Sequence, residues 1–168
     1  MKQVKLISKL LLVLIIALQF FSFSSTEPID NSIRIVKKGD GIYMYLSQSI
    51  NFELNKTNIN NNCKKQLFTL IQQLKKNPEV KVEIGVHNDI RTKEDLSQIR
   101  ANALKSFLEN YGVKPDNVIA VGYGVKKLIN DCTSKKKQKC TEMKHRANRR
   151  VEIKILNPDV LSNTIVVK

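Results

Sequence analysis

Alternation at a period of two is clearest at Val80, Val82, Ile84 and Val86, which interleave with Lys81, Glu83, Gly85 and His87. This pattern predicts a strand with one core face and one wet face. Val151, Ile153 and Ile155 alternate with Glu152 and Lys154 and predict a strand near the end of the chain, while residues 118–121 predict another, closed by a Gly122-Tyr123-Gly124 turn. Residues 42–46 and 50–54 also carry strand-forming side chains. Elsewhere the period changes. Cys63, Leu67, Leu70 and Leu74 share a helical stripe, with Asn60-Asn61-Asn62 ahead to supply an N-cap and Pro78 behind to stop it. A second helix is expected from about 93 to 111, where Thr92 and Asp95 resemble a capping box and Gly112 stands where a left-handed residue is wanted. The order β-α-β-α-β-β predicts an α+β fold: a two-layer sandwich of a mixed sheet with two main helices on one face.

The first 25 residues stand apart. Lys2, Lys5 and Lys9 precede an apolar run over 10–18 that breaks at Gln19, and Ser22, Ser24 and Ser25 follow. That is the layout of a secretory signal peptide. A retained membrane anchor is the alternative, but it needs about 20 apolar residues. The first cysteine is Cys63, so the lipid-attachment pattern of a bacterial lipoprotein is missing. The expected organisation is therefore 1–25 signal peptide, 26–41 leader with room for a first strand, 42–156 folded domain and 157–168 C-terminal tail.

Composition narrows the function classes. A length of 168 residues favours one domain, and 42% hydrophobic residues exclude wholesale disorder. Lys and Arg total 29 against 15 acids, a formal charge of +14, which suggests an anionic partner. Charge alone would allow a nucleic-acid binder, but the export signal and the scarcity of aromatic residues speak against it. Two histidines and no nucleophile–base pattern predict a non-enzyme without cofactor or metal. Export also favours a disulfide between Cys132 and Cys140, which bracket the lysine-rich DCTSKKKQKC loop. A zinc site with His145 is the alternative, and it lacks an evident fourth ligand. Cys63 reads as a buried thiol.

Several blocks, in order, resemble one family. Ile84-Gly85-Val86-His87-Asn88-Asp89 is similar to the G-H-T-D block of the OmpA-like, peptidoglycan-binding family. Residues 96–108 resemble its L-S-x-x-R-A-x-x-V-x-x-Y-L helix, and Asn148-Arg149-Arg150-Val151-Glu152-Ile153 matches its N-R-R-V-E-I strand. Phe52-Glu53-Leu54-Asn55-Lys56-Thr57 resembles the F-x-x-N-K-S segment that opens the domain, and Gly122-Tyr123-Gly124 falls at its G-Y-G turn. Some members also carry a disulfide just before the last strand.

The resemblance implies a periplasmic or outer-membrane-associated protein that grips the diaminopimelate of the peptidoglycan stem peptide. That side chain ends in an ammonium and a carboxylate, so one acid and one base are required. Asp89 would accept from the ammonium and Arg100 would fork onto the carboxylate. Asn55, Asn88 and Arg149 are the further candidate contacts, and envelope proteins are candidate partners. The sequence departs from the family between Asp89 and Arg100, where the loop is shorter and lacks the usual Gly and Tyr-Asn. Plainer roles stand beside these: Asp89 capping the helix or pairing with Arg91 at the surface, Arg100 covering the core with its stem and pairing with nearby acids, and Asn55 as a turn former. The competing function is an envelope assembly protein that has lost wall binding and uses its basic surface on anionic polymers or protein partners.

Overall fold

The structure, a computed structural model, describes residues 33–92, 96–132 and 140–163. The expected signal peptide and the lysines at 135–137 lie outside them, as does Asp95. Within them, five strands and three α-helices run in the order β1 (Ile33–Lys38), β2 (Gly41–Leu46), α1 (Asn61–Lys76), β3 (Val82–His87), α2 (Leu96–Asn110), β4 (Val118–Gly124), α3 (Glu142–Asn148) and β5 (Val151–Ile155). Short 3-10 turns at Pro115–Asn117 and Pro158–Asn163 complete the order. No helix among the described residues is long and apolar enough to cross a membrane.

The strands form one mixed sheet, β1-β2-β5-β3-β4. All neighbours are antiparallel except β3 and β4, which run parallel with α2 as their crossover. One row runs across the sheet through Ile35, Met44, Ile153, Ile84 and Ala120. With its neighbouring rows it meets Leu67, Leu70, Ile71 and Leu74 of α1 and Ala101, Leu104 and Leu108 of α2 in one core. The α+β sandwich with two main helices on one face is the observed fold.

Local chemistry explains the helix ends. Asn60 caps α1 by accepting from Cys63 N at 2.9 Å, and the helix ends at Asn77, just before Pro78. At the end of α2, Gly112 takes φ +89°. Its N–H donates to Glu109 O at 2.9 Å and Val113 N–H to Leu108 O at 3.1 Å, a Schellman closure.

Four expectations need correction. Residues 50–54 are not a strand, because their carbonyls are taken by side chains rather than by a ladder: Asn51 O by Cys63, Phe52 O by Arg149 and Glu53 O by Arg100. Gly122-Tyr123-Gly124 is the end of β4, not a turn. There α2 packs so closely that a Cβ on Gly122 would stand 2.4 Å from Gln98 N. Helix α3 was not expected, since its buried residues are the polar His145 and Asn148, which leave no apolar stripe. Finally, the outer face of β3 is not wet at its end. His87 is buried there, stacked on Tyr123 at 5.0 Å between ring centroids, with Nε2 3.3 Å from Glu152 Oε2.

Candidate functional site

A bulge between Val86 and His87 interrupts the β3–β4 register, and the chain then leaves the sheet through Asn88 and Asp89. Asn88 is held by its N–H on Gly124 O at 2.8 Å. On α2, Ser97, Arg100, Ala101, Leu104 and Leu108 form the buried stripe, so Arg100 points inward by helical position. The docking of α2 is fixed by Gln98 Oε1, which accepts from Gly122 N at 2.8 Å, and by Ser97 Oγ, which accepts from Gly124 N at 3.1 Å.

Arg100 is fully buried and makes three hydrogen bonds. Its Nε donates to Lys56 O at 2.7 Å, Nη1 to Asn88 Oδ1 at 2.9 Å and Nη2 to Glu53 O at 2.9 Å. Its guanidinium also lies 5.0 Å from the centre of the Phe52 ring. Among the described residues no carboxylate comes within ion-pair distance of it. Burial, reinforced by the charge of Arg149, pulls its pKa below the ordinary value, although Asp89 acts the other way. A guanidinium nonetheless stays charged, and one N–H remains on each terminal nitrogen. This is a buried cation whose three hydrogen-bond partners are all neutral oxygens.

Asp89 is equally buried but already crowded. Its Oδ1 accepts from Arg91 N at 3.0 Å and Thr92 Oγ1 at 2.8 Å. Its Oδ2 accepts from Arg91 Nε at 3.2 Å, Arg91 Nη2 at 2.9 Å and Arg149 Nη1. His145 Nδ1 lies 3.5 Å from the same oxygen. Burial alone would raise its pKa, but the hydrogen bonds from Arg91, Thr92 and Arg149 outweigh it and hold the carboxyl below its usual range. Glu142, at the start of α3, closes the cluster: Oε1 takes Arg149 Nη2 at 2.7 Å and Oε2 takes Arg91 Nη2 at 2.8 Å. Those two arginines hold its pKa down as well.

The candidates from the sequence therefore meet in one place. Asp89 and Arg149 are in direct contact, and Asn88 bonds Arg100. Asn55 contributes through its backbone: with φ 56° it turns the 53–56 segment, whose two carbonyls receive Arg100, while its own side chain is exposed. The pairing of Asp89 with Arg91, weighed above as its plainer role, is present, and the carboxylate it reaches has no exposed area. Thr92 Oγ1 donates to Asp89 Oδ1 at 2.8 Å; the expected capping box with Asp95 lies outside the described residues. Glu142 and His145 were missed as contacts. The only sequence cue was Thr141, which caps α3 by accepting from Lys144 N at 3.4 Å.

Beside the cluster, Cys132 and Cys140 are joined through their sulfurs, with Cα atoms 5.8 Å apart. Both sulfurs and a ring nitrogen of His145 lie within 4.8 Å of one another, but the bond between the sulfurs leaves no thiolate for a metal. Cys63 is a buried free thiol whose pKa is raised by burial, and its Sγ donates to Asn51 O at 3.2 Å.

The profile of the OmpA family matches residues 51–141. The peptidoglycan-associated lipoprotein of Buchnera aphidicola subsp. Baizongia pistaciae is 31% identical over 109 residues, covering 62% of this chain and 58% of that protein. The chain thus spans less than two thirds of that relative's length. Among solved structures, the peptidoglycan-associated lipoprotein from Burkholderia pseudomallei superposes with a TM-score of 0.56 at 23% identity, covering 65% of this chain and 90% of that one. An outer membrane protein from Borrelia burgdorferi B31 gives a TM-score of 0.54 at 28% identity, covering 74% and 97%. The profile match takes in more than half of the chain and includes Asn55, Asn88, Asp89 and Arg100; this chain belongs to the OmpA family.

Proposed function

We propose that the protein is a non-catalytic peptidoglycan-binding module of the bacterial cell envelope, exported to the periplasm, that recognises the diaminopimelate of the stem peptide. The observation that carries this reading is Arg100, a buried guanidinium without a carboxylate partner among the described residues, held one hydrogen bond from the residue that precedes Asp89. An anion is the missing complement of such a group. Asp89 then meets the ammonium of the same side chain, and a relative named as peptidoglycan-associated fits the assignment. Two charge-assisted anchors give modest affinity per stem peptide, and a polymeric wall converts this into retention when several copies act together.

The test varies the ligand, so the fold stays untouched. In co-sedimentation, wall of the diaminopimelate type should retain the protein better than lysine-type wall, which lacks the distal carboxylate. Equal retention on both, abolished by salt, would leave only diffuse electrostatics. One observation favours a second reading, an envelope assembly protein that keeps the fold without wall binding: Asp89 is already neutralised by Arg91 and Arg149. Absence of sedimentation with either wall would select it.

A further inference from the structure

Resting on the wall-binding reading, we propose that Arg91 is an internal competitor for the ligand's ammonium, and that Glu142 forms the second wall of the seat it fills. Arg91 Nη2 sits between two carboxylate oxygens, 2.9 Å from Asp89 Oδ2 and 2.8 Å from Glu142 Oε2. A nitrogen cation between two acceptors at these distances is the arrangement an alkylammonium makes with its three donors. The seat is built for a cation, and the chain supplies its own.

The position of Arg91 makes it the removable occupant. Asp89 has no exposed surface, so a ligand reaches it only after a neighbouring side chain moves. Of the side chains around it, Arg91 is 35% exposed, against 5% for Arg149 and 8% for His145, and Thr92 is buried. Glu142, the other anchor of Arg91, is 63% exposed and gives little resistance to opening. When the Arg91 side chain leaves, Asp89 keeps Arg149, the Thr92 hydroxyl and the Arg91 backbone N–H. The carboxylate thus stays ionised and oriented, with Oδ2 open on the side Arg91 vacated. The turn over 89–92, closed by Thr92 N–H on Asp89 O at 3.1 Å, brings the guanidinium back onto the carboxylate two residues before it.

A site occupied by its own side chain binds with an affinity reduced by the open fraction. Arg91→Ala should therefore bind a soluble muropeptide ending in diaminopimelate more tightly, on the order of tenfold by calorimetry. Arg91→Lys, which restores a cation, should return affinity towards wild type, and Glu142→Gln in the Arg91→Ala background should lose part of the gain. A merely structural arginine predicts the reverse order. Arg91→Gln provides the same comparison should Arg91→Ala fail to fold, as judged by its thermal transition. If wild type binds and both neutral variants bind equally or more weakly, the internal-competitor role is overturned while wall binding stands. If neither wild type nor any variant binds muropeptide or wall, the functional reading falls and takes this inference with it. Binding by Arg91→Ala alone supports both.

Discussion

Asn88 Oδ1 accepts from Arg100 Nη1 at 2.9 Å, a side-chain bond that ties the second turn of α2 to the residue just after β3. The acceptor is neutral, so the bond solvates the guanidinium without cancelling its charge. Asn88 stands where the resembling family carries threonine, and its amide oxygen reaches one atom further along the side chain than a threonine hydroxyl. The residue next to the proposed ammonium seat thereby also holds the proposed carboxylate partner.

Asn88→Ala should strand one N–H of a buried guanidinium. The expected loss is about 1–3 kcal/mol of unfolding free energy. Urea denaturation monitored by circular dichroism measures it. A change below about 0.5 kcal/mol, the scatter expected of an indifferent site, would show that the bond contributes nothing to stability.

Gly122→Ala tests the docking of α2. The new Cβ would meet backbone, Gln98 N at 2.4 Å and Gln98 Cα at 2.7 Å, neither of which can rotate aside. Overpacking of this kind costs about 1–3 kcal/mol, sometimes more. The urea midpoint should fall with little change in slope. Because the same contact positions Arg100, wall retention should fall at temperatures where the variant remains folded. Retention equal to wild type in a destabilised variant would uncouple helix docking from the site.

Glu152 predicts a pH dependence of stability. Its carboxyl is held down to about 2, first by His87 and then by Arg150, with burial opposing. Lys38 is the other cation nearby, at 4.0 Å. A folded-state pKa below the unfolded one means that the unfolded chain binds the proton more readily. The stabilisation is therefore complete above the ordinary value of 4.5 and is lost as pH falls towards about 2. Glu152→Gln should flatten the stability curve across that window and leave it parallel to wild type above it. Curves parallel throughout would refute the assignment.

What could be read in the sequence follows from what periodicity can report. The alternation at Val82, Ile84 and Val86 and the stripe through Leu67, Leu70 and Leu74 are direct consequences of one-sided burial, and both elements lie where they were expected. Arg100 was named on the family resemblance alone, and the structure places it on the buried stripe with Ala101, Leu104 and Leu108. Residues 50–54 misled because Ile50 and Phe52 are buried without a strand partner, and nothing local announces that arginines 47 and 97 positions away will take their carbonyls. Glu142 was invisible because α3 is short and packs through polar groups. Arg91 was visible as a neighbour of Asp89, but its depth depends on a loop conformation that composition does not encode.

The sheet order has a consequence for how the protein matures. β5 is synthesised last of the strands yet lies in the middle, between β2 and β3. Until it arrives, β2 and β3 each present an unpaired inner edge, the surface most prone to pairing with other chains. Glu142, His145 and Arg149 arrive with the same stretch, so Asp89 cannot acquire those partners earlier. A nascent or truncated chain ending before Glu142 therefore has neither a closed sheet nor a finished cluster. Wall attachment, if it begins at this cluster, begins only once the domain is complete.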